Sequence, residues 1–152
     1  MPVYDYDNII NALKTAKKIW IVGDGGSAAL ADHLACDLLK NAHLPAISLC
    51  SNSALITAIA NDYSFSKVFS MQLKELWSKD DILIILSTSG NSENLISGFK
   101  EVDKSILIVG GGYLLNNKRQ EDIVIHIEGK DQMDTEDCIL QVCHEIARRS
   151  MK

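Results

Sequence analysis

At 152 residues the chain suits one domain with a substantial core, expected to span 1–152. Its 47% apolar and 23% charged residues are those of an ordinary globular protein. A net charge of −5 with no basic run argues against a nucleic-acid partner, and no apolar run is long enough for a membrane span. The start, Met1-Pro2-Val3-Tyr4-Asp5, lacks the pattern of a signal peptide. Cys36, Cys50, Cys138 and Cys143 form no CxxC pair and read as reduced thiols of a cytoplasmic protein.

Residues 8–16 read as a first helix, with Ile9, Ile10, Leu13 and Ala16 on one side. Residues 18–22 form a strand, 23–27 a glycine turn and 28–40 a helix striped by Leu30, Leu34 and Leu38. A strand at 45–49 precedes helices at 53–60 and 65–77. The apolar run Ile82-Leu83-Ile84-Ile85-Leu86 is a buried strand, and residues 93–102 a helix. A strand at 105–109 leads to Gly110-Gly111-Gly112, read as a flexible turn. The last elements are a strand at 123–127 and a helix at 135–151. Apolar strands alternating with helices predict an α/β fold, a doubly wound, about five-stranded and mainly parallel sheet flanked by helices. Trp20 and Trp77 fall in apolar patterns and are assigned to the core, while His43 and His126 are assigned to the surface.

Ligands of such folds bind at the C-terminal ends of the strands, where two unusual turns lie. Ser87-Thr88-Ser89-Gly90-Asn91-Ser92 joins a buried strand to a helix. The helix start offers unpaired N–H groups and partial positive charge, and the hydroxyls add donors. Gly23-Asp24-Gly25-Gly26-Ser27 does the same after the first strand, but residue 28 is alanine, so the GxGxxG dinucleotide fingerprint is not met. A single glycine turn is equally well read as tight strand-to-helix packing. Two such turns in one sheet favour one phosphate held between them, and with no Arg or Lys in either turn, a small phosphoester rather than a polyphosphate.

His33 and Asp37 are spaced i, i+4 on one helix face, which fits either a shared metal ion or substrate, or a solvated pair. Glu136 and His144 lie eight residues apart, an offset of roughly 80° around the last helix, so both can serve one site. Asn61-Asp62 reads as a helix stop or as a polar pair aimed at a sugar.

These motifs together resemble the sugar isomerase (SIS) family, and within it the phosphoheptose isomerases. Gly23-Asp24-Gly25-Gly26-Ser27-Ala28 is similar to the family's GNGGSA, His33 to Asp37 to its HxxxE, and Ala60-Asn61-Asp62-Tyr63-Ser64-Phe65 to its ND segment. Leu86-Ser87-Thr88-Ser89-Gly90-Asn91-Ser92 matches ISTSGNS nearly in full, and Glu136 and His144 have the spacing of the family's Gln and His. The resemblance implies a single SIS-type, flavodoxin-like domain that isomerises sedoheptulose 7-phosphate by enediol chemistry, supplying heptose for a surface glycan. It implies that Gly25, Gly26, Ser27, Asn61, Asp62, Ser87, Thr88, Ser89, Ser92 and Glu136 bind the phosphorylated sugar. It implies Zn²⁺ on His33, Asp37, Glu136 and His144, with Asp37 and His144 doing the acid–base work. It further implies a homotetramer with active sites between subunits, or a homodimer given the short stretch before the first turn. SIS domains also serve as phosphosugar sensors and regulatory partners, so binding without turnover is the alternative.

Three positions depart from the family pattern. Asp24 replaces Asn and sets a negative charge beside the anion site, so it must turn away or meet a cation. Asp37 replaces Glu and shortens the side chain by one methylene, about 1.5 Å. Glu136 replaces Gln and adds charge that favours a cation.

Overall fold

The structure, a computed structural model, describes residues 4–152, so the reading of residues 1–3 as no part of a leader lies outside it. Strands β1 (Ile19–Val22), β2 (Ala46–Ser48), β3 (Ile82–Ser87), β4 (Ser105–Val109) and β5 (Ile123–His126) form one sheet. Its order is β2-β1-β3-β4-β5, and every pairing is parallel. The helices are α1 (Tyr6–Thr15), α2 (Gly26–Lys40), α3 (Ser53–Asp62), α4 (Ser70–Leu76), α5 (Glu93–Lys100), α6 (Gly112–Asn116) and α7 (Gln132–Ser150).

The central strands are buried on both faces, which is why they read as continuous apolar runs. Alternate residues serve alternate faces. Ile19, Ile21, Ile82, Ile84, Leu86, Ile106 and Ile108 pack with α1, α2 and α7. Trp20, Val22, Leu83, Ile85, Leu107 and Val109 pack with Phe69 and Leu73, and with Leu95 and Phe99 of α5. The doubly wound architecture is therefore as expected. Trp20 is in the core, Trp77 lies partly buried against it, and His43 and His126 are exposed.

Three local expectations are corrected. The helix expected over 65–77 is two pieces, a 3-10 turn at Phe65–Lys67 and then α4. Bonds from Lys67 N–H to the Ser64 carbonyl and from Val68 N–H to the Phe65 carbonyl tighten the chain, and Val68 and Phe69 both reach the core. Helix α6 is not evident from the sequence because the three glycines at its start mask its one buried anchor, Leu114. Helix α3 runs two residues past its expected end at 60, so Asn61 and Asp62 form its last turn and the helix stops at them.

Arg119 and Asp122 close the connection from α6 to β5. The fully buried Asp122 carboxylate accepts from Arg119 Nε and Nη2 at 3.0 Å each, from the Ser105 N–H at 3.0 Å and from the Ser105 hydroxyl at 2.8 Å. The guanidinium also covers the Phe99 ring at 4.1 Å and donates to the Val102 carbonyl. Burial alone would push the Asp122 carboxyl up, but the bonds from Arg119 and Ser105 outweigh it and hold the group below its ordinary 3.8. A carboxyl depressed in the folded state stabilises the fold above its unfolded value and loses that contribution as pH falls through the native one. Unfolding free energy, measured by urea titration, is therefore expected to drop as pH falls below 3.8. In Asp122→Asn the acid-dependent part should shrink and the protein should be weaker at neutral pH. An unchanged acid slope would show that the network carries no such linkage.

Candidate active site

At the C-terminal edge of the sheet, β1 and β3 are neighbours, yet the chain leaves them for opposite faces, through α2 and α5. This is a topological switch point, where a crevice must open. The two turns picked out by sequence line it together. A cavity of about 300 Å³ is bounded by Asp24, Gly25, Gly26 and Ser27 on one side and by Ser87, Thr88, Ser89 and Ser92 on the other, with Gln132 and Glu136 of α7 over it.

The turns present donors to that cavity. Gly25 caps α2 in the left-handed region, at φ +55°, and makes no side-chain cap bond; Ser92 caps α5 and makes none either. The Ser87 hydroxyl oxygen accepts from the Gly90 N–H at 2.8 Å, and the Ser89 hydroxyl oxygen accepts from the Asn91 N–H at 3.2 Å. Each oxygen is thereby oriented, and its O–H remains available to donate. Two helix starts and several hydroxyls facing one cavity suit a phosphate group.

The expected flexible turn at 110–112 is instead a buttress for this loop. Gly110 N–H donates to the Ser87 carbonyl at 3.0 Å, Leu114 N–H to the Gly90 carbonyl at 3.1 Å, and Tyr113 N–H to Asn91 Oδ1 at 2.8 Å. A β-carbon on Gly90, Gly110 or Gly112 would collide with the carbonyl of Gly111, Thr88 or Ser89 respectively. Backbone meets backbone here, and only glycine permits the approach.

Glu136 stands at the start of α2. A β-carbon on Gly26 would lie 2.6 and 2.7 Å from the two Glu136 carboxylate oxygens, so the missing side chain is what admits them. Asp24 borders both this cavity and an adjoining one. Its Oδ1 accepts from Asn94 Nδ2 at 2.7 Å.

Further along α2 and α7 a second group forms. His33 Nε2 lies 3.0 Å from His144 Nε2 and 3.4 Å from Asp37 Oδ2. Asn41 Nδ2 donates to Asp37 Oδ1 at 3.3 Å. Two ligands on a tetrahedral ion with bonds of 2.0–2.1 Å stand about 3.4 Å apart, so these donors suit a metal ion. The structure thus gathers three of the four expected ligands. Glu136 lies outside the group, because eight residues of α7 span about 12 Å. Asn61 and Asp62 are exposed at the end of α3, bonded to each other at 3.1 Å, and do not line the cavity.

Three site residues are not evident from the sequence. Gln132 enters the cavity because α7 starts three residues before its expected first turn, capped by Asp131. Asn41 is the C-cap of α2, and its only signal was its i+4 spacing from Asp37. Asn94 occupies a buried position beside Leu95, Gly98 and Phe99, and an amide on an apolar helix face was its signal.

Comparison with known proteins bears on this arrangement. The SIS domain family matches residues 6–109. A phosphoheptose isomerase from Clostridium acetobutylicum is 35% identical over 145 residues, covering 90% of this chain and 74% of that protein. One from Nitratiruptor is 46% identical over 100 residues, covering 62% of this chain, and the match spans about half (54%) of that relative's length. A solved phosphoheptose isomerase from Neisseria gonorrhoeae superposes with a TM-score of 0.88 at 28% identity, covering 97% of this chain and 83% of that one.

Proposed function

Because the chain belongs to the SIS domain family, we propose that it is a phosphoheptose isomerase, converting sedoheptulose 7-phosphate to D-glycero-D-manno-heptose 7-phosphate. One observation carries this reading: the anion pocket and the His33–Asp37–His144 group lie along the same helix pair. From Gly26 to His33 is seven residues, about 10 Å of helix. An extended heptulose phosphate spans seven bonds from its carbonyl carbon to phosphorus, about 9 Å. A phosphate held by Ser27, Ser87, Thr88, Ser89 and Ser92 would bring the carbonyl end near the second group.

Isomerisation removes a proton from C1 of the ketose, returns it to C2 and moves the hydroxyl proton from O1 to O2. Asp37 is assigned the carbon-bound proton, with its carboxylate oriented by Asn41 and His33. His144 is assigned the hydroxyl proton. His33, Asp37 and His144 would hold a zinc ion, with a water completing the set. Zinc bound there would polarise the carbonyl oxygen.

The heptose product would serve a surface glycan, and the setting would be the cytoplasm. Among the described residues no helix is long and apolar enough to cross a membrane. A homotetramer or homodimer with shared sites belongs to this proposal. In support, α3 buries only Ile59, while Leu55, Tyr63 and Phe65 are exposed around Asn61 and Asp62. The net charge of −5 argues against nucleic acid as a partner.

The test is incubation of the purified protein with sedoheptulose 7-phosphate, followed by NMR. Aldose phosphate is the expected product, with turnover falling after chelation and returning with zinc. Failure to convert the substrate with or without zinc sinks the proposal. Binding without conversion would support the alternative, a phosphosugar-binding regulatory domain. That reading is favoured by the carboxylate of Glu136 lying beside Gly26, at the start of α2.

A further inference from the structure

The anion pocket has an unfavourable charge balance. Its lining carries two carboxylates, Asp24 and Glu136, and neither Lys nor Arg. A dianionic ester can enter only if at least one of these carboxylates is held away from it.

Asp24 borders two cavities. One is the anion pocket; the other, of about 420 Å³, adjoins it and is lined by Phe65, Ser66, Glu93 and Asn94. Asn94 lines only the second. Its bond to Asp24 Oδ1 at 2.7 Å therefore draws the carboxylate toward the adjoining cavity. The orientation of the Asn94 amide is not free. The residue is 2% exposed, and its Oδ1 accepts from the Leu95 N–H at 2.9 Å, so Nδ2 must face residue 24. The same bond ties the turn after β1 to the first turn of α5, across the switch point.

We propose that Asn94 is a positioning residue: it latches the Asp24 carboxylate on the far side and keeps the anion pocket open to a phosphate group. The proposal rests on the reading of that pocket as a phosphate site. Asn94 touches no substrate in this scheme; it acts through Asp24.

The test is an exchange of partners. Asn94→Asp keeps the size of the side chain and its acceptor for Leu95, but sets a carboxylate against Asp24. The double variant Asp24→Asn with Asn94→Asp restores the pair with donor and acceptor reversed. Affinity for inorganic phosphate and for sedoheptulose 7-phosphate is read by calorimetry, folding by thermal melting and turnover by NMR. Asn94→Asp should weaken binding by about tenfold or more. The double variant should return to within about threefold of wild type. Asp24→Asn alone keeps an acceptor for Asn94 and removes the charge, so it should bind at least as tightly as wild type.

Wild-type affinity in Asn94→Asp, or a double variant as weak as that single one, overturns the latch. If Asn94→Asp does not fold, recovery of folding and binding in the double variant supports the latch, and failure to recover overturns it. Rescue of binding in the double variant, with a wild type that binds but does not turn over the sugar phosphate, removes the isomerase reading and leaves the latch standing. Wild-type turnover without rescue in the double variant does the reverse. No binding of either compound by the wild type would overturn both.

Discussion

Replacing His144 by alanine should lower turnover of sedoheptulose 7-phosphate by about 10² to 10⁴-fold while leaving the fold intact. The proposed chemistry needs a group that moves the hydroxyl proton, and the His144 imidazole sits 3.0 Å from His33 Nε2 on the facing helix. The rings meet edge to face, with centroids 5.2 Å apart, so the substitution removes one packed ring from a half-exposed surface. A stability change below about 1 kcal/mol follows from that placement. Bound metal should fall with activity, because one of the three converging donors is gone. The measurements are steady-state kinetics, metal content and thermal melting on the same preparation. Activity within tenfold of wild type would remove His144 from the mechanism. A large fall in melting temperature would instead assign it to the fold.

Gly90→Ala is expected to cost stability and binding together. Gly90 sits at φ +64°, where an L side chain is disfavoured by about 1–2 kcal/mol. Its new β-carbon would also meet the Gly111 carbonyl, a backbone atom with no rotamer to change. Overpacking of this kind adds about 1–3 kcal/mol. A total of about 2–5 kcal/mol corresponds to a fall in melting temperature on the order of 10 °C. Relief of the clash would shift the serine loop, because Gly90 N–H is what orients the Ser87 hydroxyl. Phosphate binding should therefore weaken beyond the loss in stability. Gly25→Ala is the control. It shares the positive φ, at +55°, but a β-carbon there meets nothing within 4 Å. In stability it should show the conformational cost of about 1–2 kcal/mol alone. Equal stability losses in the two variants would show that the loop-to-loop contact carries no weight.

Much of the architecture was legible because it rests on periodicity. Ile82 to Ile85 alternate between two cores, and only a sheet covered on both faces tolerates such a run. The two turns were legible because their residue types declare what they offer: glycine for backbone approach and hydroxyl for donation. The His33–Asp37 pair was legible because helix geometry fixes what lies at i+4. Less was visible where a residue acts through something distant in the chain. The glycines at 110–112 looked flexible because a sequence does not show the serine loop pressed on them. Helix α6 was hidden by the same glycines, and Asn94 looked like one more polar residue of an ordinary helix.

By itself the sequence determined the doubly wound sheet, the two glycine- and serine-rich turns and the chemical types available to the site. These are local properties: a strand period, a helix period, a turn that requires glycine. Only the tertiary structure decided how the carboxylates are divided among them. Asp24 turns to Asn94, Glu136 rests on Gly26, and Asp37 joins His33 and His144. The helical spacing of Glu136 and His144 allowed one shared site, yet α7 carries them about 12 Å apart along its axis. Which group each one meets depends on how α7 lies against α2, and that is set by the packing of Leu34 and Leu38 with Ile139, Val142 and Ile146 in a core that no local spacing encodes.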